Sequence, residues 1–223
     1  MKNIKNALLL KQLYQLKDLD YKYTDLSIIT EDIDSSILPH SIDKINSMIT
    51  SCTLCELCCS RDKVVLSFGD KNADIMFIGD KPNLAENSTG EIFGGMAGNM
   101  LTLMIEKVLK IPKQSVYISN ILKCYPTDSR EPKASEIDVC LEYTLKEIEI
   151  VKPKIIITLG VEAYNYLMSE TKTIQDIRGK VIKQGSYLIV PTFHPSYLLK
   201  NPSLKKDTMS DLLKVKEIIY DKI

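Results

Sequence analysis

Six cysteines are the residues best equipped to do chemistry in this chain: Cys52, Cys55, Cys58, Cys59, Cys124 and Cys140. Four of them fall within eight residues, and the other two stand far downstream. Cys52-x-x-Cys55, with Cys124 and Cys140, offers four thiolates from three separate segments, a donor set that suits zinc or an iron–sulfur cluster. Zinc more often takes two compact knuckles, so the spacing indicates a metal without choosing which. Cys58 and Cys59 are left as buried thiols or substitute ligands. The opening residues, Met1 to Ala7, and an apolar stretch that stops at Leu10 do not form a secretory signal. The expected compartment is therefore the cytoplasm, where an even cysteine count says little for disulfides.

Two further features carry chemical potential. Gly79 to Gly98 is a loop punctuated by five glycines, which implies tight turns and close approach of a ligand to the backbone. It reads either as a plain anion nest before a helix or as a ligand loop. It lacks the Gly-Lys-Ser/Thr ending of a nucleotide loop and the dinucleotide fingerprint. The chain has 2 histidines. His194 sits in a Thr-Phe-His-Pro turn, whereas His40 lies in a linker and is read as incidental.

These residues need elements to position them. Leu8, Leu9, Leu13 and Leu16 fall at helical spacing, so an N-terminal helix is expected over Asn6 to Leu16, followed by a polar linker to Pro39. A second helix starts near Ser41. Short apolar runs at Asp74 to Ile78, Val116 to Leu122 and Ile155 to Leu159 read as buried strands, and Val181 to Thr192 as a hairpin. Helices are expected over Asn99 to Leu109, Glu136 to Val151 (opened by a Ser135–Asp138 capping box), Val161 to Met168, and from Leu204 onward. This alternation predicts a three-layer α/β/α sandwich around a mostly parallel four-stranded sheet. In such sheets ligands bind beyond the carboxyl ends of the strands. Residues 1–40 are read as a helix and linker, and residues 41–223 as the folded domain.

With 223 residues, 44% of them hydrophobic, and 29 basic side chains against 29 acidic ones, the chain has the composition of a globular protein and no net charge. No apolar run approaches the roughly 18 residues of a membrane span. Neutrality also argues against indiscriminate coating of nucleic acid, though a local basic face is compatible with it.

In its motifs the chain resembles the family 4 uracil-DNA glycosylases, the iron–sulfur branch of that superfamily. The family's Gly-Glu-Ala-Pro-Gly, followed by Gly-x-Pro-Phe-Val-Gly-x-Ala-Gly, looks like Gly79 to Gly98. Asn-x-x-Lys-Cys-x-Pro is similar to Asn120 to Pro126, and Pro-Thr-x-His-Pro-x-Tyr-Leu-Leu is matched by Pro191 to Leu199. Cys52-x-x-Cys55 with Arg61, Cys140, and Arg178-Gly179-Lys180 also correspond, and the likeness runs from about Ser51 to Pro202. The resemblance implies a glycosylase that removes uracil from DNA and leaves an abasic site. It implies a structural [4Fe–4S] cluster on Cys52, Cys55, Cys124 and Cys140. Gly79, Phe93 and Asn120 would bind the base, and Asp80, Glu86 and His194 would serve catalysis. A side-chain amide such as that of Asn120 can accept from uracil N3–H and donate to O4, a pattern that cytosine reverses. Uracil-containing DNA is the expected partner, with no membrane role and a monomeric chain. Lys200, Lys205, Lys206 and the basic stretch Lys107 to Lys133 are candidate phosphate contacts. The chain departs from the pattern at Asp80 (family Glu), Lys81 (Ala), Asn83 (Gly) and Ile92 (Pro). Those departures leave a second reading, a DNA-binding member with weak or lost cleavage.

Overall fold

The computed structural model describes residues 38–127 and 130–220. The expected N-terminal helix and most of its linker lie outside the described residues. Helix α1 spans Ile42–Thr50, with Ser41 at the N-cap position where the sequence places its start. A four-residue helix, α2 (Leu57–Ser60), follows the first cysteine pair.

The sheet has six strands in the order β1-β3-β2-β4-β6-β5. The inner four, β2 (Ile75–Gly79), β3 (Tyr117–Asn120), β4 (Ile155–Leu159) and β6 (Tyr187–Thr192), run parallel and are the four expected. Both edges carry a short antiparallel strand, β1 (Phe68–Gly69) and β5 (Ile182–Gln184). The two residues of β1 are too few to show an alternation, so the sequence gives no sign of it.

Alternation along the strands divides the core. Ile75, Phe77, Ile155, Ile157 and Val190 face one side, where they meet Leu101, Ile105, Leu198, Leu212 and Val215. Met76, Ile78, Ile156 and Ile189 face the other and meet Ile148, Val151 and Tyr164. The first layer is built by α4 (Gly95–Leu103), α8 (Pro195–Lys200) and α9 (Lys205–Tyr220). The second contains α5 (Ala134–Val151) and α6 (Val161–Met168). Burying one such large apolar side chain contributes about 1.5–3 kcal/mol. The three-layer sandwich follows directly. A smaller cluster of Ile45, Ile49, Leu57, Leu122 and Tyr143 surrounds Cys124 and Cys140.

Three local expectations are corrected. The helix expected from Asn99 begins at Gly95 and widens into a π-type turn over Met104–Leu109. Helix α5 is not opened by Ser135 and Asp138. Instead the Glu136 carboxylate accepts the Lys133 N–H at 2.8 Å and is gripped by Arg130. Short helices α3 (Leu84–Thr89), inside the glycine loop, and α7 (Ile174–Ile177) were not foreseen. Among the described residues, no helix is long and apolar enough to cross a membrane.

Candidate active site

The chain passes from β2 outward to β3 on one side, then returns to β4 on the other side of β2. This reversal opens a crevice beyond the strand ends. Gly79 ends β2, Asn120 ends β3, and the two are register partners. Pairing continues past the strands, with Ile121 N–H donating to the Gly79 carbonyl and Leu122 N–H to that of Asp80, both at 2.9 Å.

Phe93 comes to the same point from the loop between α3 and α4. A Cβ on Gly79 would stand 2.3 Å from Asn120 Oδ1 and 3.0 Å from Phe93 Cζ, so the three groups share one small space. The Asn120 side chain is buried, and its Oδ1 has no hydrogen-bond partner among the described residues. Leaving such an acceptor unmet costs about 1–3 kcal/mol, which a ligand carrying an N–H would relieve.

Phe93 is held in the left-handed region at φ 50, at a cost of about 1–3 kcal/mol for a residue other than glycine. Its N–H donates to Glu86 Oε1, while Glu86 Oε2 accepts the Asn83 N–H at 2.7 Å. Both carboxylate oxygens of this buried side chain are therefore engaged by the backbone of the loop. The Phe93 carbonyl presses on Gly98, where an added Cβ would lie 1.5 Å from the oxygen. Asn83, a departure from the family pattern, is the N-cap of α3 and accepts the Glu86 N–H at 3.0 Å.

His194 caps α8. Its Nδ1 accepts the Ser196 N–H at 3.2 Å and lies 2.7 Å from Ser196 Oγ, which leaves the proton of a neutral ring on Nε2. Its ring stands 5.7 Å from that of Phe93, tilted by 33°. Burial drives its pKa down to about 4, against a weaker opposing pull from Glu162. The turn carrying His194 is braced by Asp211, which accepts from Thr192 Oγ1 at 2.9 Å and from Arg178 at 3.0 Å. The Arg178 guanidinium also lies 5.4 Å from the centre of the Phe193 ring. Sequence reasoning missed Asp211, because nothing in the charge pattern of α9 separates it from a solvent-facing acid.

Asp80 follows Gly79 at the crevice. Burial raises the pKa of its carboxyl, opposed by the Lys81 N–H and the Lys81 charge. Lys81 Nζ pairs with Glu131 at 3.1 Å, so the unusual cation is drawn to a neighbouring loop. The phosphate candidates divide. Lys123 is not on the surface: it is buried against Glu147 at 2.8 Å. Arg130 and Lys133 are paired with Glu136 and Glu56, and Lys113 lies over Phe68. Lys107 and Lys205 line one open groove with Leu198 and Met209.

The cysteines gather behind the crevice. Cys52, Cys55, Cys58, Cys124 and Cys140 line a single cavity with Arg61 and Tyr143. Arg61 donates to Cys124 Sγ at 3.2 Å, and the Lys123 N–H donates to Cys140 Sγ at 3.3 Å. Burial raises the thiol pKa values, Cys55 to about 11. Among the described residues, no three His, Cys, Asp or Glu side chains close around a space the size of one ion. A set of soft sulfur donors backed by N–H groups fits an iron–sulfur group.

A mostly parallel sheet thus brings an aromatic ring, a buried amide oxygen without a partner among the described residues and an imidazole to one switch-point crevice, and the comparisons place the chain in the uracil-DNA glycosylase superfamily. The family model described as "Uracil DNA glycosylase superfamily" matches residues 66–214. The chain is 36% identical over 186 residues to the "Type-4 uracil-DNA glycosylase" of Sulfurisphaera tokodaii, covering 80% of this chain and 84% of that one. It is 36% identical over 179 residues to the Thermotoga maritima protein of the same name, covering 78% and 93%. The protein belongs to the type-4 uracil-DNA glycosylase family.

Proposed function

We propose that this chain hydrolyses the N-glycosidic bond of uracil in DNA and leaves an abasic site. The observation that carries the reading is the buried, unpartnered Oδ1 of Asn120 beside the Phe93 ring. Extruding a base costs a few kcal/mol, and the pocket must return that cost. Phe93 offers a face for the flat ring, Asn120 accepts from N3–H, and Gly79 keeps the space open. Leu199 or Tyr197, both exposed on α8 beside buried Leu198, would fill the gap left in the stack.

As the bond breaks, negative charge gathers on uracil. His194, neutral through the physiological range, donates its Nε2–H to that charge. Removing such a donor typically costs about 10²–10³ in kcat. Asp80 orients the attacking water. Glu86, expected to act in catalysis, is assigned a positioning role instead, because the Phe93 and Asn83 N–H groups take both of its oxygens.

Cys52, Cys55, Cys124 and Cys140 would hold a [4Fe–4S] cluster, a reading supported by the gathering of these thiols from three segments around one cavity. When bound, the group supplies a structural tether, since breaking a glycosidic bond moves no electron. It would join α1, the segment after β3, and α5. Residues 41–223 are proposed as the catalytic domain, a boundary supported by the packing of Ile42, Ile45 and Ile49 into the core. One chain carries every residue of the site, which supports a monomer.

The test is strand nicking after alkali on an oligonucleotide with a single uracil. Binding without nicking overturns the enzyme reading in favour of a non-catalytic DNA-binding member. His194→Ala is expected to slow cleavage about 10²–10³-fold while leaving DNA binding intact.

A further inference from the structure

Five thiols line the cysteine cavity, and a four-iron cluster takes four. The fifth is Cys58, three residues after Cys55 and joined to it by a hydrogen bond from the Cys58 N–H to the Cys55 carbonyl at 3.2 Å. The two side chains leave one short segment a single turn apart. Cys124 and Cys140 belong to other elements and are buried, and their sulfurs are fixed by Arg61 and the Lys123 N–H. Cys52 is anchored through its own N–H to Ile49 and through its carbonyl to Arg61. Cys58 is held more lightly. Its thiol meets the exposed Cys59 thiol at 3.6 Å, and thiols are weak donors and acceptors. Helix α2, which carries it, is only four residues long.

We infer that Cys58 is a reserve ligand that takes the corner of the cluster held by Cys55 when the Cys55 thiolate is lost. The inference rests on the cluster reading above. In the exchange a sulfur–iron bond forms to Cys58, whose proton goes to water, and the bond to Cys55 breaks as its thiolate takes up a proton. No electron is transferred. The movement needed is confined to α2, because Cys58 already faces the cavity. Cys59, one residue on and turned to solvent, cannot take this place without unwinding the turn.

The experiment measures iron and acid-labile sulfide per chain, with visible absorbance, on protein purified without oxygen. Wild type, Cys55→Ser, Cys58→Ser, Cys55→Ser/Cys58→Ser and Cys124→Ser are compared, and circular dichroism checks that each is folded. The expected result is iron in wild type, Cys58→Ser and Cys55→Ser, with its loss in the double variant and in Cys124→Ser. A wild type without iron overturns the cluster reading itself. A loaded wild type with an iron-free Cys55→Ser overturns only the reserve role, as does an iron-free Cys58→Ser. Alkylation mapped by mass spectrometry supplies a second readout. Cys58 and Cys59 should both react in native wild type, whereas in Cys55→Ser only Cys59 should remain reactive. Equal reactivity of Cys58 in both proteins overturns the inference.

Discussion

At the scale of single residues, the amide of Asn120 and the imidazole of His194 carry opposite signatures, one an unmet acceptor and the other a ring kept neutral. Asn120→Asp replaces the mixed donor–acceptor end with a carboxyl. One good bidentate base contact discriminates by about 1–3 kcal/mol. The ratio of cleavage at uracil to cleavage at cytosine should accordingly fall tenfold or more in matched oligonucleotides. An unchanged ratio would remove Asn120 from base reading. For His194 the sign follows from its depressed pKa of about 4, below the ordinary 6.5. The unfolded chain takes up the proton first as pH falls, so the stability contributed above pH 6.5 is lost on the way to about 4. Thermal midpoints measured from pH 7 to 4 should fall more steeply for wild type than for His194→Gln. Parallel curves would mean that the ring is not desolvated. That Gly79, Phe93, Asn120 and His194 come together was legible in the sequence because each belongs to a contiguous motif. The bracing by Asp211 and the commitment of both Glu86 oxygens to the backbone were not. Those depend on contacts between segments, and an isolated acid in a helix looks alike whether it faces solvent or a buried turn.

Among the elements, the four parallel strands and their order of appearance were legible because buried parallel strands are short apolar runs, two of them here closed by a glycine. What the pattern could not give was the link from β3 to α5. Lys123 looks like one more surface cation in a basic stretch. Instead its ammonium is buried, donating to Ser119 Oγ at 2.6 Å, to the Asn120 carbonyl at 2.8 Å and to Glu147 at 2.8 Å. Thr144 of α5 donates to the same Asn120 carbonyl at 3.0 Å. The helix that carries Cys140 thus holds the backbone of Asn120. Lys123→Met would strand Glu147 as a buried, unpaired charge, at a cost of about 3–5 kcal/mol. Adding Glu147→Leu should restore much of the stability, since an apolar pair can replace a buried ion pair with little loss. Activity should not return with it, because the Asn120 carbonyl still lacks the ammonium. Chemical denaturation and kcat/KM measured on both variants separate the two effects. Recovery of stability and activity together would reduce Lys123 to a packing role. A parallel case is Gly79→Ala, whose Cβ would push on Asn120 Oδ1 and Phe93. A displacement near 1 Å is worth about 10²-fold in rate, expected here with the melting temperature little changed.

For the whole molecule the question is how a chain with no net charge would hold a polyanion. The proposed answer lies in where the cations stand. Arg130, Lys133 and Lys123 are spent on ion pairs within the fold, and Lys81 on Glu131. Lys107 and Lys205 line the groove between α4 and α9, and Lys200 and Lys206 are exposed near it, none with an acidic partner among the described residues. Extruding one base needs only a short basic rim around a neutral pocket, since the pocket, and not the backbone, selects the target. Each phosphate neutralised on duplex DNA contributes about −0.9 to the slope of log K against log salt. A rim of this size therefore gives a slope of roughly −4, shallow beside that of proteins that coat DNA. Lys107→Gln and Lys205→Gln should each reduce the slope by about 1 and weaken binding alike for uracil-containing and ordinary DNA. Neither should alter kcat at saturating DNA, because neither reaches the crevice that holds Phe93, Asn120 and His194. Binding isotherms at several salt concentrations, with single-turnover rates on the same variants, give both quantities. A slope unmoved by both substitutions would place the DNA on a different face, and a fall in kcat would bring one of these lysines into the chemistry.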